Sequence, residues 1–144
     1  MSLDEVQEEI ISEFNQLGDW MEKYNYLIEL SKDLEPLDEK LKTSDNLING
    51  CQSRVWLYAE LSGDIIIFKA DSDAIITKGI ISLLIKVLSG RKPEEIMNAD
   101  LYFIDQTGLR QNLSPTRSNG LLSMVKQMKM YGLAYQSKLS NLKS

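Results

Sequence analysis

Val55-Trp56-Leu57-Tyr58-Ala59-Glu60-Leu61, a break at Ser62-Gly63, and then Asp64-Ile65-Ile66-Ile67-Phe68-Lys69-Ala70 form the stretch from which the fold can be worked out. In its first half Val55, Leu57, Ala59 and Leu61 alternate with Trp56, Tyr58 and Glu60, the two-residue period of a strand. Ser62-Gly63 supplies a tight turn, and the isoleucine run behind it reads as the returning strand of a hairpin. Trp56 is expected to pack between this sheet and a helix. Asp45 to Ile48, just upstream, has the make-up of a further short strand, which brings the sheet to three.

Between that short strand and the hairpin lies Asn49-Gly50-Cys51-Gln52-Ser53-Arg54, with the only cysteine of the chain. Two readings of Cys51 are open. A free cysteine is often a buried, inert, small apolar side chain. Gly50 before it and the polar Gln52 and Ser53 after it describe a loop apex instead, where a thiol can react as its thiolate.

Downstream, Asp71-Ser72-Asp73 closes the hairpin and opens a helix from about Asp73 to Ser89, expected to be capped by a carboxylate and ended by Gly90. Its apolar residues lie nearly all round, so it should be the most buried helix. Gly79 sits inside it; a mid-helix glycine costs about 1 kcal/mol against alanine, so something is expected to approach the backbone there. Pro93 to Met97 reads as a short helix with proline at its first position. Leu101 to Leu113 reads as a short helix or an irregular segment. Ser114-Pro115 starts the last long helix, with Leu121, Val125, Met128, Gly132 and Tyr135 as its buried stripe, Lys126, Lys129 and Lys138 on a solvated face, and a fraying tail after Lys138.

Upstream, Leu3, Val6, Ile10, Phe14 and Leu17 recur at helical spacing, and after Gly18-Asp19 the pattern resumes through Trp20, Tyr24, Leu27 and Ile28 to about Ser31, which makes a helical hairpin. Lys32 to Ser44 reads as a loop with at most a short helical turn at Leu37 to Lys42. The whole, residues 1–144, suits one domain. Its class is α/β in the broad sense (α+β), a small three-stranded antiparallel sheet flanked by helices.

Composition narrows the function. A net charge of −5 argues against nucleic acid as a main partner, because phosphate binding needs clustered Lys and Arg. A single cysteine forms no internal disulfide. The longest apolar-rich run, Ala74 to Leu88, is too short and too charged to span a bilayer. The acidic start is unlike a signal peptide, so a cytoplasmic protein is expected. With no histidine, a zinc site, an iron–sulfur cluster held by this chain and any Cys-His pairing are not expected. No phosphate-binding glycine loop is present, so no nucleotide cofactor is expected. Asp71-Ser72-Asp73 opens like a calcium loop, yet the sixth position is Ile76 and the twelfth Ser82, so both acids read as structural.

Arg117 stands out because a cation in the first turn of a helix faces the positive end of the macrodipole. It is either a surface charge or carboxylate partner, or part of an anion or thiolate site shared with the helix N-terminus. Were it close to Cys51, about 1.4 kcal/mol of differential stabilisation would lower the thiol pKa by one unit.

Three stretches together resemble the SufE/CsdE family of sulfur-acceptor proteins: Gly50-Cys51-Gln52-Ser53-Arg54-Val55-Trp56-Leu57, Ala70-Asp71-Ser72-Asp73 through Lys78-Gly79, and Leu113-Ser114-Pro115-Thr116-Arg117-Ser118-Asn119-Gly120. Their order and intervals fit as well, from about Leu17 to Tyr135. The resemblance implies a fold similar to the iron–sulfur scaffold proteins (SufE/IscU-like). It implies a protein that accepts sulfane sulfur from a pyridoxal-phosphate cysteine desulfurase of the SufS/CsdA kind, carries it as a persulfide on Cys51, and passes it to a SufBCD-like cluster scaffold, with no cofactor or metal of its own. Gln52, Ser53 and Arg117 are expected to shape or charge the surroundings of the thiol. Because a persulfide is labile in water, the loop is expected to shelter it and swing out on meeting the desulfurase. Two readings of other classes compete: a redox sensor or peroxidase-like protein using a Cys51 sulfenic acid, and an adaptor whose thiol is incidental.

Overall fold

The computed structural model describes residues 1–143. The hairpin forms as the alternation requires: β1 (Val55–Ser62) and β2 (Ile65–Ser72) pair antiparallel from Val55↔Ser72 to Ser62↔Ile65. Gly63 turns the corner at φ +64°. Val55, Leu57 and Ala59 of β1 and Ile66, Phe68 and Ala70 of β2 are buried on one face.

Among the described residues the expected third strand does not form, and the sheet has two strands. Ser44–Asn46 is a 3-10 turn, and only Leu47 pairs with β1, bridging to Trp56, with Ile48 N–H donating to Val55 O at 2.9 Å. The turn before and the positive-φ Gly50 after leave no length for a ladder.

Seven helices surround the hairpin among the described residues: α1 (Leu3–Asn15), α2 (Trp20–Asp33), α3 (Ile75–Leu88), α4 (Pro93–Met97), α5 (Phe103–Gln106), α6 (Leu109–Asn112) and α7 (Pro115–Lys143). Ser2 and Glu5 close a capping box on α1, and Asp19 caps α2 through Glu22 N–H. Tyr26 OH donates to Glu13, tying α2 to α1. The ambiguous 101–113 segment resolves into α5 and α6, with Gly108 at φ +77° between them. α3 is the central element: Ile80, Ile81, Leu83, Leu84, Val87 and Leu88 are all buried. It packs along α2 and against β2.

Four further expectations need correction. The carboxylate of Asp73 does not cap α3, whose N-cap is Ala74 with no side-chain cap; Asp73 Oδ1 accepts the N–H of Arg54 at 3.0 Å instead. Trp56 does not sit between the sheet and a helix, because β1 turns its buried face through the odd-numbered positions; the indole lies half-buried on the other face, with Lys42 Nζ 5.5 Å from its ring centroid. Lys129 is not simply solvated, for its Nζ donates to Ala99 O at 2.7 Å. The last helix also continues past Lys138 to Lys143.

Candidate functional site

The cysteine loop is fastened at both ends. Ile48 N–H bonds back to Val55 O on one side. On the other, Arg54 is gripped by the end of β2: its N–H donates to Asp73 Oδ1, and its carbonyl accepts from Asp73 N–H at 3.2 Å and from Ser72 Oγ at 2.8 Å. Just behind the grip, Asp71 anchors the same corner, with Lys42 Nζ at 3.0 Å, Lys78 Nζ at 3.3 Å and Ser72 N–H at 2.8 Å. Burial alone would raise the Asp71 pKa, but the lysines and the N–H outweigh it and hold the carboxyl below its ordinary value. Both acids are thus structural, as their role in the turn suggested.

Between the fastenings, Gly50 takes φ +91°, a conformation natural to glycine. Its backbone lies against α7 so closely that a Cβ placed there would stand 2.5 Å from Ser123 Oγ. Cys51 is half-buried, and its Sγ donates to Gly120 O of α7 at 3.6 Å. Burial pushes the Cys51 thiol up from its ordinary value. A carbonyl acceptor favours the protonated form as well, so the resting group is a thiol at neutral pH. The lowered pKa expected of a nearby Arg117 is therefore not seen in this state.

A cleft of about 390 Å³ opens beside the thiol. Cys51, Gln52 and Ser53 line it from the loop, Thr77 and Ile80 from α3, and Ser114, Thr116, Arg117, Gly120 and Met124 from α7 and the residue before it. All four residues singled out from the sequence thus meet in one place. Arg117 is exposed, its backbone N–H donates to Ser114 Oγ at 3.3 Å, and its guanidinium has no ion pair or hydrogen bond with the described residues. A carboxylate partner for it is thereby ruled out among them. Ile80, Gly120 and Met124 carry no sequence signal as wall residues, and Thr77 stands out in the sequence only as a break in an apolar run. Its polarity inside that run is the one available signal.

The arrangement is a sheltered neutral thiol beside unpaired hydrogen-bond donors. Among the described residues no group of three or more Cys, Asp or Glu is placed to hold a metal, and no helix is long and apolar enough to cross a membrane. Such a thiol can take up an electrophilic atom once ionised, and the cleft has room for it.

Comparisons with known proteins point to one family and to one fold. The family model described as "SufE: Fe-S metabolism associated domain" matches residues 8–132. An uncharacterised SufE-like protein of Rhizobium etli is 42% identical over 127 residues, covering 85% of this chain and 86% of that protein. A second, from Rhizobium meliloti, is 37% identical, covering 85% and 91%. SufE-like protein 1, chloroplastic/mitochondrial, of Arabidopsis thaliana is 40% identical over 91% of this chain and 36% of that longer protein. Among solved structures, that of a hypothetical protein from Thermus thermophilus superposes with a TM-score of 0.75 at 18% identity, over 92% of this chain and 96% of that one; it supports the mixed α+β fold.

Proposed function

The chain belongs to the SufE family, associated with Fe–S metabolism, and from that premise we propose that it takes sulfane sulfur from a pyridoxal-phosphate cysteine desulfurase of the SufS/CsdA kind onto Cys51. The Cys51 thiolate attacks the terminal sulfur of the donor's cysteine persulfide, the new S–S bond forms at Cys51, and the donor's thiolate leaves. The persulfide then passes to a SufBCD-like scaffold by the same exchange. The protein serves a partner enzyme rather than turning over a substrate alone.

The observation that carries this reading is the half-buried Cys51 thiol opening on a cleft large enough for added sulfur. Shelter slows hydrolysis and stray oxidation of a persulfide, and a raised thiol pKa keeps the unloaded protein quiet. Delivery needs the loop to move. Its ends are bonded to the hairpin, while against α7 it has the Gly50 packing on Ser123 and a long S–H···O hydrogen bond, so Asn49 to Ser53 can swing about fixed ends. Gln52, Ser53 and Arg117 shape and charge the cleft. We place the protein in the cytoplasm, a reducing compartment where a lone thiol persists; the plant relative's name puts that protein in chloroplasts and mitochondria.

The test is mass spectrometry after incubation with a cysteine desulfurase, its cofactor and L-cysteine, alongside Cys51→Ser. An adduct of about one sulfur on Cys51, together with stimulation of the desulfurase that Cys51→Ser abolishes, is expected, the thiolate being the attacking group. Oxygen addition under peroxide without sulfur loading would favour the redox reading. Stimulation by the Ser variant equal to the parent's would reduce the protein to an adaptor.

A further inference from the structure

Thr77 is placed in the cleft without a structural task. It lies in the first turn of α3, its residue is 7% exposed, and it lines the cleft beside Cys51. Buried hydroxyls are almost always hydrogen-bonded, and on a helix a threonine usually bonds back to a carbonyl three or four residues earlier. Thr107, equally buried, does so, donating to Phe103 O at 2.7 Å and Ile104 O at 3.2 Å. The Thr77 hydroxyl has no partner among the described residues. Every fully enclosed polar side-chain atom among them does have one, so the Thr77 oxygen keeps some access to solvent, and the cleft is the space its residue lines.

The cleft is mismatched to its present occupant. The Cys51 thiol is neutral and has an acceptor, Gly120 O, against its sulfur. Lining the same space are Thr77, whose hydroxyl is idle, and Arg117, in the first turn of the 29-residue α7 and without a side-chain partner among the described residues. Donors and positive potential are what an anion needs. The sulfur relay would create one there. A second sulfur on Cys51 stands about 2.05 Å from Sγ, and the cleft beside the thiol has room for it.

On the footing of the proposed function, we infer that the Thr77 hydroxyl donates a hydrogen bond to the terminal sulfur of a Cys51 perthiolate, with Arg117 supplying the countercharge. The transfer balances without an outside oxidant: Cys51–SH and the donor's R–S–SH give Cys51–S–S⁻, R–SH and one proton released to solvent. One S–S bond breaks and one forms. Thr77 is thus a binding residue for the loaded state, and the thiol of the unloaded state is indifferent to it.

The experiment loads Cys51 with inorganic polysulfide, which needs no desulfurase, in the parent, Thr77→Val and Thr77→Ser. The perthiolate is titrated by its ultraviolet absorbance, and the unloaded thiol by the pH dependence of its alkylation. In Thr77→Val the perthiolate titration should move up by about one pH unit, a tenfold tighter hold on the proton, because a donor to the charged form has gone. Thr77→Ser should stay with the parent, and the unloaded thiol should titrate alike in all three. An unmoved perthiolate in Thr77→Val, a Ser variant that shifts as far as Val, or a parent that cannot retain the added sulfur would each overturn the assignment. If Thr77→Val shifts as expected while a desulfurase fails to load the parent, the sulfur-relay function falls and the Thr77 site stands.

Discussion

Gly79 of α3 faces the main chain of Leu27 in α2: a Cβ added to Gly79 would stand 2.8 Å from the Leu27 carbonyl carbon and 3.1 Å from the Leu27 Cβ. The two helices meet backbone to side-chain-less backbone, and Thr77 and Ile80 of the cleft lie on either side of that crossing. Gly79→Ala gains up to about 1 kcal/mol of helix propensity but must push the helices apart, which costs about 1–3 kcal/mol or more against an unyielding main chain. A net loss of about 2 kcal/mol in urea unfolding is expected, and a variant more stable than the parent would show that the crossing is loose.

Gly50 and Ser123 define how the thiol loop seats on α7. Ser123→Leu fills the space against which Gly50 rests, so the loop should be displaced and Cys51 alkylated by iodoacetamide several-fold faster. Ser123→Ala leaves the seat intact and should match the parent. Equal rates in Ser123→Leu and parent would mean that the thiol is not sheltered by this contact.

The thiol also sets a pH dependence. Burial raises the folded pKa of Cys51 above its unfolded value, so above about pH 8.5 the unfolded chain binds fewer protons than the folded one. Its contribution to stability is full below the unfolded pKa and is lost as pH rises through the folded one. Denaturation midpoints of the parent should fall relative to Cys51→Ser between pH 8 and 10, about the range in which thiols titrate. A constant difference across that range would place the folded thiol at its ordinary pKa.

Asp71 behaves in the opposite sense. Its side chain is 13% exposed and lies between Lys42 and Lys78, and its folded pKa is lowered. The stability it supplies is present above the unfolded pKa and lost as pH falls through the folded one. Asp71→Asn leaves two ammonium groups facing each other and should cost about 1–3 kcal/mol near pH 7, more than a surface pair and less than a fully buried one. The gap between variant and parent should close below about pH 4, as seen in acid titrations of stability. A gap that persists in acid would assign the loss to packing rather than charge.

Much of this fold was readable because its signals are local. The alternation in 55–61 and the helical spacing of Leu3, Val6, Ile10 and Phe14 each report a face that must be buried, whatever buries it. Gly79 announced a close approach before the approaching group was known. The third strand failed because a strand exists only through its ladder, and the few residues between a 3-10 turn and Gly50 cannot extend one. The cap on α3 failed for a related reason. Asp73 had two N–H groups to choose from, and the remote one, at Arg54, closes the loop that carries Cys51.

The chain's order of residues settled that one thiol would sit in a turn, that no second thiol or imidazole would stand beside it, and that a cation would open the last helix. These are matters of inventory and local period, and they need no third dimension. Which side chains enclose the sulfur was decided by packing alone. Arg117 and Thr77 come to Cys51 from α7 and α3, elements distant along the chain whose mutual placement follows from burying their apolar faces on one core. Whether the thiol rests charged or neutral was decided there too, because desolvation depends on what covers an atom rather than on its neighbours in the chain.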